Sequence, residues 1–244
     1  MTAFELAYRC AEPFLPPLYG SVRRQLLEIT RSGASARPEL LDVGGRKSHY
    51  TIGVPANVTI SELPRETETQ AALGLGVTDE MVSRTRARRS NVREILLDDM
   101  TRSRLPDACF DLAVAVEVLE HVEEDGLFLH EVARVLRPGG VFLMTTPNGD
   151  TTPTPHNADH KRHYTRAQLH ELLSAVFDDV RVEYAVVGSR FRRVGLRSWS
   201  ARHPLRTMAS MGANVINRIE SARADVPARA IGTRHLIARA VRGR

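Results

Sequence analysis

The stretch FDLAVAVEVLEHVEEDGLFLHEVARVLRPGGVFLMTTPN, residues 110–148, constrains this chain more than any other. It opens on FDLAVAV, an apolar run rich in valine and alanine, which predicts a strand buried on both faces. Charge follows in Glu117, Glu120, His121, Glu123, Glu124 and Asp125. Leu127, Leu129, Val132, Val135 and Leu136 then recur at helical spacing. Arg137-Pro138-Gly139-Gly140 stops that helix, because proline cannot continue it and glycine tolerates positive φ. VFLMTTP, residues 141–147, is a second buried strand. A strand–helix–strand unit this short implies a parallel pair and therefore an open α/β sheet. Ligands of such sheets bind beyond the carboxyl ends of the strands. Residues 117–121 and 146–149 should thus meet at a pocket mouth.

The rest of the chain repeats the alternation. Residues 2–30 suggest two helices around a proline break at Pro13, Pro16 and Pro17, with Val22, Leu26 and Ile29 on one face. LLDVGG (40–45) is a strand entering a glycine turn; NVTISE (57–62) and 92–97 are two further strands, the last followed by Asp98-Asp99. Residues 64–89 read as loop and short helix, with Ala71, Leu73 and Leu75 as weak apolar points. Thr165-Arg-Ala-Gln168 fits a capping box that opens a helix through Leu169, Leu172, Leu173 and Val176. Residues 180–187 and 235–241 are the closing strands, and a helix from Pro204 carries Met208, Met211, Val215 and Ile219. The order is that of a doubly wound α/β sheet with additions. It divides into an N-terminal helical extension (1–38), a core (39–188), and a basic helical insertion or lid with the final strand (189–244).

Composition narrows the classes. At 244 residues the chain suffices for one large domain, and no apolar run is long enough to span a bilayer. Cys10 and Cys109 make no disulfide framework, and MTAFELAYRC lacks a basic segment followed by an apolar core. A cytoplasmic location is the default expectation. Residues 189–244 hold thirteen arginines against Glu220 and Asp225, in a chain of net charge +5, so the first 188 residues are net acidic. Such a basic tail is either a solvated face or a surface for phosphate-bearing partners such as anionic lipid. No aromatic-plus-basic module for nucleic acid is present.

On LPDACFDLAVAVEVLEHV, EVARVLRPGGVFLMTTPN and DHKRHYTRAQL (159–169), the chain resembles the class I S-adenosylmethionine-dependent methyltransferases of the UbiE/UbiG-like, small-molecule type. The resemblance covers roughly residues 40–187 and implies a Rossmann-like seven-stranded sheet with a terminal antiparallel hairpin, interrupted here by residues 191–233. It implies S-adenosyl-L-methionine as cofactor, carried by Asp42, Gly44, Gly45, Glu62, Asp99, Met100 and Glu117. In this reading the glycine turn admits the methionine part, Glu62 accepts from the ribose hydroxyls, and Asp99 accepts from the adenine amine. The glycine motif departs from the family's Gly-x-Gly-x-Gly: here it is Gly44-Gly45-Arg46-Lys47-Ser48, with room for only a truncated first helix. His121 is the candidate base, since an attacking hydroxyl or amine must shed a proton and imidazole titrates near neutrality. His160, His163, Tyr164 and Asn148 are expected at the acceptor pocket. His156, Asp159, His160 and His163 form a polar cluster for which no metal is expected.

Two functions follow as expectations. One is methyl transfer to an oxygen or nitrogen of a small molecule such as a secondary metabolite, sugar, quinone-like or lipid acceptor. The other is a catalytically inactive cofactor-binding module acting as a partner or regulator. Peripheral membrane contact through the basic C-terminal region is a further expectation.

Overall fold

The computed structural model describes residues 1–33, 35–63, 79–155, 157–197, 199–223 and 225–243. Seven strands form one sheet: β1 (Glu39–Val43), β2 (Asn57–Glu62), β3 (Val92–Leu97), β4 (Phe110–Val116), β5 (Leu136–Pro147), β6 (Asp179–Val187) and β7 (Thr233–Val241). Their order is β3-β2-β1-β4-β5-β7-β6. The first five are parallel, and β7 runs antiparallel to both β5 and β6. The expected fold class, with its split hairpin, is the one observed.

Both faces of the central strands are covered, as their sequences demanded. Leu41, Ala113, Ala115, Phe142 and Met144 pack against Phe128, Leu129, Val132 and Val135 of α4 (Asp125–Val135) and Leu169 and Leu173 of α5 (Arg166–Ser174). The alternate residues Leu40, Leu112, Val114 and Leu143 face Leu18, Val22, Leu26 and Ile29 of α2 (Pro17–Ser32). Period-two alternation thus feeds two cores instead of one core and solvent.

The α2 contact corrects the reading of residues 1–38 as an extension. Between β1 and β2 the chain has only a 3₁₀ turn, Gly45–Lys47, where a covering helix would ordinarily sit. Helix α2 fills that layer from the other side of the sequence, and Arg23 anchors it by donating to the carbonyls of Tyr50 and Ile52. Preceding it, α1 (Ala3–Ala11) starts on a Thr2/Glu5 capping box, and Glu5 reaches across to Ser90 just before β3. A further helix, α3 (Asp79–Arg88), leads into β3. Ala71, Leu73 and Leu75 lie outside the described residues, as does His156.

The helix of residues 127–136 ends at Val135, and the Pro-Gly-Gly segment is drawn into β5. Gly139, at φ +76°, donates to the Arg242 carbonyl, and Arg242 donates back to Gly140. That pairing with the end of β7 could not be read locally. The Thr165–Gln168 capping box is present as expected.

The insertion comprises α6 (Arg192–Gly195) and α7 (Pro204–Arg223). Of the residues expected in a lid, Met208 is exposed while Met211 and Val215 are half-buried. Met208 is 67% exposed, Ile219 44% and Leu205 80%. The buried stripe of α7 is instead Ser210, Ala213, Asn214 and Asn217. Asn214 donates to the carbonyls of Phe14 and Gly195, Ser210 to that of Gly195, and Arg218 to that of Glu12. Small and amide side chains win this face because the surface beneath offers carbonyl oxygens, which leucine could not satisfy.

Candidate active site

The carboxyl ends of β1, β2, β3 and β4 lie side by side, and each carries an acid or a glycine turn. At the tip of β1, Gly44 adopts the left-handed conformation, φ +67°, and donates its N–H to Ser61 at 2.8 Å. A Cβ on Gly45 would lie 2.2 Å from the Asp42 carboxyl carbon, so glycine is required there. Asp42 is itself fully enclosed. It accepts from Ser48 Oγ at 2.5 Å, Thr51 Oγ1 at 2.7 Å and Tyr50 O–H at 3.1 Å, while Arg89 donates to Thr51. Burial raises its pKa despite Arg89 and the three hydroxyls. Asp42 therefore braces the glycine turn from beneath and shows no face to the crevice.

Glu62, at the end of β2, remains partly exposed and accepts the Arg46 backbone N–H at 2.8 Å, which ties the β1 turn to the β2 tip. After β3 the two aspartates separate in role. Asp98 is buried and spent on Ser103 and the Arg104 amide. Asp99 accepts from Thr101, with its side chain 40% exposed beside the buried Met100.

Glu117 follows β4 at φ +55°, a strained value for a side chain that is not glycine. Its Oε1 accepts from Thr145 at 2.9 Å and its Oε2 lies 3.2 Å from His235 Nδ1. The two groups lie within ion-pair distance, without hydrogen-bond alignment at the ring nitrogen. Burial opposes ionisation of Glu117, but His235, Thr145 and His160 outweigh it and hold the carboxyl below its ordinary range. Glu120 behaves in the opposite way. It is completely buried. Desolvation first, and Glu117 second, push its pKa well above the carboxylate range. Among the described residues, Thr146 donates to its Oε2 at 3.3 Å and its Oε1 has no hydrogen-bond partner.

The histidines form a chain whose tautomers follow from their partners. His163 Nδ1 donates to the Thr152 carbonyl at 2.7 Å, leaving Nε2 as acceptor for His160 Nδ1 at 2.9 Å. His121 Nδ1 lies 3.0 Å from the Asp159 carbonyl and must donate to it. Both His121 and His160 thus keep a bare Nε2 lone pair. Their rings stand edge to face, centroids 4.7 Å apart. His160 is driven below the ordinary imidazole pKa by burial and by its two histidine neighbours. Glu120, His121 and His160 each bring one ligand-type atom within 4.8 Å of the others, a grouping that could take a divalent cation.

A cleft of about 690 Å³ is lined by Glu117, Pro147, His160, His163, Arg192 and His235. His121 stands behind His160 and is not part of the wall. Asn148 and Tyr164, expected at the acceptor pocket, are turned to structural work. Asn148 is enclosed, donating to Thr233 and accepting from Asp150 N–H. Tyr164 donates to Asp125 at 2.8 Å, on a carboxylate that Arg162 also holds. His235 and Arg192 were missed by the sequence reading. Both come from segments more than seventy residues beyond Glu117, and His235 arrives only because β7 inserts beside β5, pairing it with Pro147. No local pattern signals that register.

Residues 52–144 match the family described as a methyltransferase domain. A Mycolicibacterium smegmatis protein described as a probable S-adenosylmethionine-dependent methyltransferase is 36% identical over 160 residues, 64% of this chain and 57% of that protein. A Mycobacterium tuberculosis protein of like description is 35% identical over 126 residues, 50% of this chain and 44% of that protein. The chain spans about half the length of these curated relatives. Among solved structures, a Burkholderia thailandensis 1,6-didemethyltoxoflavin-N1-methyltransferase aligns with TM-score 0.53 and 18% identity over 91% of this chain and 79% of that one. The [4+2]-cyclase SpnF aligns with TM-score 0.52 and 18% identity over 91% and 81%. The fold therefore also carries chemistry other than methylation, and the site must decide.

Proposed function

We propose that the chain is a class I S-adenosylmethionine-dependent methyltransferase that transfers a methyl group to an oxygen or nitrogen of a small molecule, a reading supported by the matching methyltransferase-domain family and the relatives of that description. The observation that carries this is the row of strand tips. A left-handed glycine at β1, a half-open carboxylate at β2 and another beyond β3 lie adjacent in one parallel sheet. That donor set fits a nucleoside with an amino-acid tail: Glu62 toward the ribose hydroxyls, Asp99 and Met100 toward the base, and Gly44–Gly45 with the Glu117 backbone toward the tail. When bound, S-adenosylmethionine supplies an electrophilic methyl whose departure leaves the sulfur neutral.

The chain's own contribution is orientation and proton transfer. The acceptor's lone pair forms the new bond to carbon, and the carbon–sulfur pair stays on sulfur. The acceptor's proton passes to an imidazole. His160 Nε2 is the proposed recipient, because His160 lines the cleft, commits Nδ1 to His163, and is held below the ordinary imidazole range by burial and its histidine neighbours. His121, the base expected from sequence, backs it edge-on with its own Nε2 free. Glu120, buried beneath them, has its pKa pushed up by desolvation and by Glu117, which favours its uncharged form there.

Calorimetric titration with S-adenosylmethionine tests the reading on the wild type and on Glu62→Gln. The variant should bind roughly tenfold or more weakly, the usual loss for a hydrogen bond to a charged acceptor. Equal affinity would remove Glu62 from the ribose; no binding by the wild type would remove the function.

A further inference from the structure

The cleft beside Glu117 holds more positive charge than the chain uses. Arg190, Arg192, Arg193 and Arg234 all line it, together with His160 and His163. The one acid on its wall is Glu117, which is already committed to His235 and Thr145. Among the described residues, none of the four arginines has a carboxylate within ion-pair distance. Elsewhere the chain places acids against its partly buried arginines: Arg134 with Asp107 and Glu131, Arg162 with Asp125, Arg23 with Glu12. Here it does the reverse. The sequence from 189 to 219 contains no aspartate or glutamate at all.

Arg192 is the focus. It opens α6, is half-buried, and faces Glu117 across the cleft, since both also line the smaller pocket under Pro17 and Tyr19. Its pKa is lowered by burial, then by Arg234, with Glu117 offsetting part and Arg193 adding to the fall. Arg192 is half-buried, whereas Arg190, Arg193 and Arg234 are exposed around it; like charges gathered about a half-buried guanidinium disfavour its charged form unless something neutralises them. Guanidinium forks match the oxygens of phosphate in pairs, which an ammonium does not.

We propose that the acceptor carries a phosphate group, seated on Arg192 and Arg234 with Arg190 and Arg193 at the rim, so that its nucleophilic atom lies toward Glu117 and His160. This rests on the methyl-transfer reading and names the substrate class of the same site. The phosphate could belong to a soluble phosphomonoester or to a lipid headgroup; the chemistry recognised is the same.

The test titrates the full chain, saturated with S-adenosylhomocysteine, with inorganic pyrophosphate. Pyrophosphate should bind the complex. Arg192→Met and Arg234→Met should each weaken it tenfold or more, while the exposed Arg181→Met leaves it unchanged. Should Arg192→Met fail to fold, the exposed Arg190→Met and Arg193→Met serve, each expected to weaken binding severalfold. Binding unaffected by any cleft variant would overturn the proposal. So would displacement of S-adenosylhomocysteine by pyrophosphate, because the arginines would then serve the cofactor's own carboxylate. Glycerol phosphate in solution and phosphatidate in phosphatidylcholine vesicles distinguish the sources; retention of either by the wild type and not by Arg192→Met supports the site, and retention of neither overturns it. Failure of S-adenosylhomocysteine to bind the wild type would sink the methyl-transfer reading instead.

Discussion

Replacing Gly45 with alanine should be among the most damaging single-methyl changes in the molecule. The new Cβ would lie 2.2 Å from Asp42 Cγ and 2.5 Å from each carboxylate oxygen. Real Cβ atoms do not approach that closely, so either the turn or Asp42 must move. Asp42 has nowhere to go, being enclosed and held by Ser48, Tyr50 and Thr51. Its displacement would forfeit three hydroxyl bonds, about 1 kcal/mol each even when counted as neutral. Overpacking adds about 1–3 kcal/mol. The total is about 4–6 kcal/mol, or a Tm lower by roughly 8–24 °C for a chain of this size. Gly53 is the control: it also has positive φ, +63°, but open space around its Cβ position. Gly53→Ala should cost about 1–2 kcal/mol of backbone strain and no more. Thermal and urea unfolding of both variants measure the difference. A second measurement isolates the clash. In an Asp42→Ala background, which is itself destabilised, adding Gly45→Ala should cost less than about 1 kcal/mol, a strong departure from additivity. If Gly45→Ala costs no more than Gly53→Ala, or if the double variant is additive, the account of Asp42 as the brace of the turn is wrong.

Glu120 sets a pH dependence whose sign is fixed by its raised pKa. The folded state keeps a proton that the unfolded state has lost above its ordinary value, so this stability is complete below about pH 4.5 and drains away as pH rises toward the folded value. Glu120→Gln should flatten that decline in unfolding curves taken from pH 5 to 9; an unchanged slope would show that Glu120 is ionised when folded. Met208→Ser should change stability by less than about 0.5 kcal/mol and leave acceptor KM unaltered, because the side chain is 67% exposed and covers nothing. A loss of several degrees in Tm or a large rise in KM would show that Met208 covers the pocket.

The parallel core was written in the sequence because its information is local. FDLAVAV and VFLMTTP are apolar on both parities, and that alone requires cover on both faces, which is what the two core layers supply. The capping box at Thr165 and the strand tips at Glu62 and Asp99 were legible for the same reason: each depends on neighbours a few residues away. Tertiary structure alone decided the rest. It brought α2 in to do the work of the missing first helix, buried Glu120 against Glu117, turned Met208 of α7 to solvent, and set His235 and the unpaired arginines against the end of β4. Those outcomes depend on which distant backbone carbonyls and charges a side chain meets after the sheet closes. A polar residue looks the same in sequence whether its partner will be water, a carbonyl or a like charge, so burial and charge balance exist only once the chain has folded.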